Sequence, residues 1–173
     1  MIKRFFDIVL SFIGLIILLP LFLFIAIWVK WDSKGPVLFK QLRVGKHNKD
    51  FRIFKFRTMK VSSDKEGLLT LGDKDKRITG SGYFMRKYKL DELPQLFNVF
   101  IGDMSFVGPR PEVRKYVDFY TKEQLKIFEV RPGITDVASI AYRNEAELLK
   151  DQVDPEGYYI NTIMQKKLQL NLN

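Results

Sequence analysis

The chain has no cysteine and only one histidine, His47. The first absence excludes disulfides and thiolate metal sites, and leaves the redox compartment undetermined. His47 lies among Gly45, Lys46 and Asn48, a turn-forming setting that argues against a catalytic role. Acids are in deficit, with 20 against 29 lysines and arginines, so the net charge is +9 and the pI about 9.6. That balance favours an anionic partner without naming the anion. Charge is missing altogether from Ile8 to Val29. With 173 residues there is room for one domain and a terminal appendage.

The uncharged run, IVLSFIGLIILLPLFLFIAIWV, is 22 residues long and would reach about 33 Å as a helix, enough to cross a bilayer core. Pro20 stands in its middle, where it removes a backbone hydrogen bond and bends a helix. Ser11 is too far away to serve the carbonyl that Pro20 frees. Lys3 and Arg4 precede the run and Lys30, Lys34 and Lys40 follow it, so a spanning helix would leave positive charge on both sides. A re-entrant hairpin that enters and leaves by the cytoplasmic face meets no such conflict. Trp28 and Trp31 at its exit suit the headgroup level. No small-x-small cleavage site follows the run before Lys30, which argues against a cleaved signal peptide.

Val37–Val44 and Phe51–Met59 read as two β-rich runs joined by the polar GKHNKD, a β-hairpin. Lys55 and Arg57 share one face of the second run by its two-residue period. The residues alone leave open whether that face meets an anion or only solvent. Val61–Thr79 mixes charge and glycine without periodicity and reads as a loop. Tyr83–Leu90 reads as a short helix carrying Arg86, Lys87 and Lys89.

Leu93, Leu96, Phe97 and Phe100 fall at helical spacing, mark one buried face and predict a helix starting near Asp91, with Pro94 in its first turn. Asp91 then sits at or near the N-cap, with Glu92 just inside. Capping accounts for that pair. So does phosphate chemistry, in which an aspartate attacks phosphorus while its neighbour binds metal or moves a proton. Arg110, fixed between Pro109 and Pro111, fits either a rigid surface turn or bidentate phosphate binding. Val113–Val130 predicts a helix with aromatics on one side, either core-packed or lying on a membrane. Arg143 stands alone after an apolar run, and the tail reads as helical from about Glu156.

LDELPQLFNVFIGDMSFVGPRP, with KFRTM before it and RPGIT after it, closely resembles the small monotopic phosphoglycosyl transferases among bacterial sugar transferases. The resemblance runs from the apolar N-terminus to about Asn144. It implies transfer of a phosphosugar from a UDP-sugar to polyprenol phosphate, giving a polyprenyl diphosphate sugar and UMP. It also implies a re-entrant helix-break-helix, a Mg²⁺ ion and an aspartyl phosphosugar intermediate. By motif, Asp91 resembles the nucleophile and metal ligand, and Glu92 its acid/base partner. Lys55, Arg86, Arg110 and Arg143 resemble the phosphate and nucleotide contacts, with Arg57 a weaker addition.

Many relatives bend at Ser-Pro, where this chain has Leu19-Pro20. Many read PGITG followed by AQ, where this chain has Asp136 and then Ala138-Ser139, a pattern pointing to a different sugar subgroup. The expected architecture is α+β and mostly helical, with residues 1–31 as a re-entrant membrane hairpin and 32–173 as a cytosolic catalytic domain lying on the membrane. That domain holds a small β-hairpin and amphipathic interfacial helices. The expected place is the cytoplasmic face of a bacterial inner membrane. Expected partners are the bilayer, a UDP-sugar, polyprenol phosphate and a second copy in a homodimer. Nucleic acid is not among them, because the cations are dispersed instead of forming one stripe. The rival reading is a non-enzymatic, membrane-anchored basic module that binds anionic lipid or nucleotide.

Overall fold

The computed structural model describes residues 2–63, 67–72 and 75–172. It is mostly helical with two small two-stranded sheets, an α+β fold. The chain divides into two compact units: residues 1–41, 53–68 and 74–102 form the first, and 42–52, 69–73 and 103–173 the second. The hairpin β1 (Leu38–Val44) and β2 (Asp50–Phe56) contributes to both, its base to the first unit and its tip to the second. His47 and Asn48, both at φ 58°, make the left-handed turn that closes it. Asn is well suited to that conformation. Part of the expected loop, 64–66 and 73–74, lies outside the described residues.

In the first unit, α1 (Ile2–Ile17) and α2 (Leu19–Asp32) meet at a 60° bend. The cause is local. Pro20 lies in the first turn of α2 and has no N–H to give the preceding turn. The Leu18 N–H still bonds Gly14 O at 2.9 Å, and Leu18 O accepts from the Phe22 N–H at 2.9 Å. Ser11 plays no part in the repair; its hydroxyl donates to Asp7 O at 2.5 Å. Among the described residues no single helix is long and apolar enough to cross a membrane, but the bent pair passes that test together.

Two arginines tie the ends of these helices to the rest of the unit. Arg4, read above only as flanking charge, donates from Nη1 to Val99 O at 2.5 Å and from Nη2 to Phe100 O at 2.8 Å. It thereby caps the last turn of α4 (Gln95–Ile101), whose carbonyls have no partner within the helix. Arg57 does the same for α2, donating to Ser33 O at 2.7 Å and to Lys34 O. Asp32, at the end of α2, accepts from the Ser81 N–H and hydroxyl at 2.9 and 2.8 Å, which fixes the start of α3 (Gly80–Lys87). Ile25, Val29, Phe56 and Met85 form the apolar core between these elements.

The face of α4 differs from expectation. Gln95, Leu96, Asn98 and Val99 are buried, while Phe97 is 48% exposed. A polar contact decides the rotation: Asn98 Oδ1 accepts the Phe54 N–H of β2 at 3.0 Å. An edge-strand donor needs a partner when it is buried, and the amide provides one.

The second unit buries Val44, Val113, Tyr116, Val117, Ile127, Phe128, Leu149, Tyr159, Ile163, Met164 and Leu168. Val113–Val130 is not one helix. It breaks into α5 (Arg114–Val117) and a 3-10 turn, Gln124–Glu129. A capping box explains the break: the Thr121 N–H donates to Gln124 Oε1 at 2.8 Å and the Gln124 N–H to Thr121 Oγ1 at 3.3 Å. The short strands β3 (Ser105–Val107) and β4 (Gly133–Thr135) pair in parallel. After β4 come α6 (Val137–Ala141), α7 (Glu145–Lys150), α8 (Pro155–Tyr158), a π turn over Tyr159–Ile163 and α9 (Met164–Leu172).

Gly82 of α3 has no room for a side chain, since a Cβ there would lie 2.1 Å from Thr58 O. That oxygen also accepts the Thr79 N–H at 3.0 Å and is not free to move. Gly82→Ala is expected to destabilise by about 2–3 kcal/mol, read as a fall of roughly 5–10 °C in Tm by circular dichroism in detergent. An unchanged Tm would contradict this packing.

Candidate active site

The LDELP motif does not begin a helix at Asp91. Lys89 takes a left-handed conformation at φ 56° just after α3, and Leu90–Glu92 then turn as a short 3-10 segment before Pro94 starts α4. Asp91 is therefore not an N-cap. It is a buried side chain, 7% exposed, whose Oδ1 has no hydrogen-bond partner among the described residues. A capping aspartate would have spent that oxygen on a backbone N–H.

Charge surrounds it. Lys55 Nζ donates to Glu92 Oε1 at 2.8 Å, and both side chains are largely buried. Burial pushes the Asp91 carboxyl above the ordinary range; Lys55 opposes the shift, Glu92 adds to it, and Arg86 and Lys89 oppose it. Loss of water therefore prevails over the nearby cations. One helical turn on from Asp91, Gln95 is 1% exposed, and its Nε2 also lacks a partner among the described residues. In the sequence the signal for Gln95 is only a polar residue beside the apolar Leu96 and Phe97.

Lys55, Arg86, Asp91 and Glu92 thus belong to one electrostatic group within the first unit. Arg57 belongs to the same unit, but the hydrogen bonds of its guanidinium go to Val29, Ser33 and Lys34 carbonyls at the end of α2. Gly35, at φ 127°, leaves room for it, since a Cβ there would stand 2.3 Å from Arg57 Nη1.

Arg110 and Arg143 belong to the second unit. The Arg110 N–H donates to Asp136 Oδ2 at 2.8 Å, and Pro111 O and Glu112 accept from Arg43 Nη1 at 3.1 and 3.4 Å. The Tyr159 hydroxyl donates to Glu112 Oε2. Gly108 of GPRP and Gly133 of RPGIT touch backbone to backbone: a Cβ on Gly133 would lie 2.2 Å from Gly108 N. That contact carries the β3–β4 pair and sets the two motifs side by side. Arg143 is exposed, in the turn after α6.

Fold and site together define a mostly helical α+β protein with a bent apolar helix pair at its N-terminus and a buried acidic pair among cations. The chain belongs to the bacterial sugar transferase family, whose sequence model matches residues 1–171. It is 43% identical over 92% of its length to a UDP-N-acetylgalactosamine-undecaprenyl-phosphate N-acetylgalactosaminephosphotransferase of Aeromonas hydrophila, covering 39% of that protein. To a UDP-glucose:undecaprenyl-phosphate glucose-1-phosphate transferase of Klebsiella pneumoniae it is 41% identical over 86% of its length, covering 33%. It is 44% identical over 82% of its length to the uncharacterized sugar transferase EpsL of Bacillus subtilis (strain 168), covering 69%. The chain therefore spans only a third to two fifths of the first two relatives.

A raised Asp91 pKa has a consequence for stability. The folded state binds the proton more tightly than the unfolded chain, so this stabilising contribution is full below the ordinary carboxylate pKa and is lost as pH rises through the raised value. Asp91→Asn, a mimic of the protonated acid, is expected to melt above wild type at pH 8. The margin should close as pH falls to the ordinary carboxylate range. An Asn variant melting below wild type at pH 8 would contradict the buried, unsatisfied carboxylate.

Proposed function

We propose that this protein transfers a phosphosugar from a UDP-sugar to polyprenol phosphate at a membrane surface, with Asp91 as the nucleophile. The observation that carries the reading is the buried Asp91 carboxylate, with one oxygen unpartnered, set beside the Lys55–Glu92 pair. The names of the Aeromonas and Klebsiella relatives support the substrate class.

The chemistry follows from that carboxylate. An Asp91 oxygen attacks the phosphorus that bears the sugar, the bond from that phosphorus to the UMP oxygen breaks, and UMP leaves. A polyprenol phosphate oxygen then attacks the same phosphorus, and the Asp91 oxygen departs as carboxylate. Glu92 holds or returns any proton exchanged with the entering and leaving groups. A poorly hydrated carboxylate attacks more readily than one in water. Attack of one anion on another needs nearby cations, and Lys55 and Arg86 provide them in the first unit. The resemblance of GPRP and YRN assigns Arg110 and Arg143, in the second unit, to donor phosphates or nucleotide.

Mg²⁺ fits this setting. Among the described residues no group of three or more acidic or histidine side chains forms a cage. Mg²⁺ commonly binds through one or two carboxylates together with substrate phosphates, and the unpartnered Asp91 Oδ1 would serve as such a ligand. Bound there, the ion would neutralise phosphate charge.

The exposed apolar side chains of α1 and α2, among them Phe5, Phe12, Ile16, Leu23, Phe24 and Trp31, support a membrane-inserted, re-entrant helix pair. The bend at Pro20 and the cations on both flanks favour one side of entry and exit. A monotopic enzyme on the cytoplasmic face of the bacterial inner membrane is the reading that combines these features.

Purified protein with Mg²⁺, polyprenol phosphate and a panel of UDP-sugars is expected to release UMP from at least one donor. Asp91→Asn should abolish release, and Glu92→Gln should slow it by about 10²–10⁴-fold. No UMP from any donor would overturn the reading, and retained turnover in Asp91→Asn would remove the nucleophile. For topology, Lys3→Cys and Lys34→Cys, in a chain with no other thiol, should both label from the cytoplasmic side. Labelling from opposite sides would sink the re-entrant pair.

A further inference from the structure

Asp136 directly follows the RPGIT stretch, and the transfer chemistry above gives it no task. It is 7% exposed, yet its carboxylate collects donors from three separate segments. Oδ2 accepts the Arg110 N–H at 2.8 Å and the Asn171 side-chain amide at 2.8 Å. Oδ1 accepts the Ser139 N–H, so the same residue caps the start of α6. Burial alone would raise its pKa, but the Ser139, Arg110 and Asn171 donors outweigh it and hold the carboxyl below the ordinary range. The group is an ionised hub.

Its neighbours matter for substrate. Arg110 is one of the two second-unit arginines assigned above to donor phosphates or nucleotide. The other, Arg143, follows the end of α6 by two residues. We propose that Asp136 is a positioning residue that fixes Arg110 and Arg143 relative to each other, and that Asn171 extends this hold to α9. The role in catalysis rests on the transferase reading; the hold itself does not. Arg43 and Tyr159 secure the loop separately at Glu112, so removing Asp136 should misplace Arg110 without releasing the whole segment.

The loop suits a direct measurement. Pro109 and Pro111 have no amide hydrogens, so within 108–113 only Gly108, Arg110, Glu112 and Val113 carry exchangeable backbone amides, and a peptide covering that segment reports few positions besides Arg110. Asp136→Ala and Asn171→Ala are expected to speed exchange in that peptide and in α9, with residues 25–29 unchanged. Asp136→Asn, which keeps the size and one acceptor oxygen, should fall between Asp136→Ala and wild type. In the UMP assay, Asp136→Ala should raise KM for the UDP-sugar about 10-fold or more, with a smaller effect on kcat. Combined with Arg110→Ala or with Arg143→Ala, its effect on kcat/KM should be clearly less than additive, because one loss then includes part of the other.

Unchanged exchange at 108–113 in folded Asp136→Ala would overturn the proposal. Faster exchange with fully additive kinetics would overturn the positioning role as well. If wild type releases no UMP, the transferase reading fails by itself, and the exchange measurement still decides whether Asp136 holds Arg110.

Discussion

A carboxylate taken out of water must be compensated or neutralised, and the first unit is arranged around one that is only partly compensated. Asp91 loses its hydration to burial, gains the fields of Lys55, Arg86 and Lys89, and feels Glu92 as an opposing charge. The balance leaves its pKa raised and one oxygen without a partner. Natural structures seldom leave such an atom orphaned, because the cost is about 1–3 kcal/mol. A site that receives a metal ion or phosphorus at that oxygen recovers the cost when its ligand arrives.

Holding a poorly satisfied acid in place requires that the elements beside it cannot relax, and the ends of the apolar helices are used for this. Carbonyls at a helix end need donors, most of all where water is scarce. Arg4 serves those of α4 and Arg57 those of α2. Each guanidinium links an apolar helix to a segment near LDELP: α1 to α4 in one case, α2 to β2 in the other. The N-terminal pair is therefore part of the fold of the first unit as well as a candidate anchor. A change at Arg4 or Arg57 would disturb the placement of Asp91 without touching it.

Local signals in the sequence were legible where a single residue type decides geometry. Pro20 marked the bend, the two β-rich runs marked the hairpin, and Gly45–Asn48 marked its turn. Apolar spacing was a poorer guide. It put Phe97 inside and overlooked Gln95 and Asn98, because a helix whose buried face carries polar side chains shows no clean apolar period. The proposed helix over Val113–Val130 failed for a reason present in the sequence, the Thr121–Gln124 capping box. LDELP is recognisable as a motif, but its geometry is not: the left-handed Lys89 and the 3-10 turn that bury Asp91 leave no composition signal. Pairing of β3 with β4 was not accessible at all. Strands of three residues have no measurable period, and parallel partners far apart in sequence are brought together by the rest of the unit.

That pairing accounts for two motifs at once. GPRP and RPGIT each contain a glycine, and the two glycines approach so closely that neither admits a Cβ. The close approach sets the backbone of Arg110 against the segment that leads through Asp136 into α6. Proline on either side limits the φ and ψ that Arg110 can adopt, but it cannot fix where the loop as a whole sits. The Gly108–Gly133 contact fixes one edge of the loop, Arg43 and Tyr159 fix the far edge at Glu112, and the Asp136 carboxylate holds the amide between them. Rigidity at Arg110 is thus a property of four segments and not of its prolines alone, which is why the motif by itself reads equally well as an ordinary surface turn.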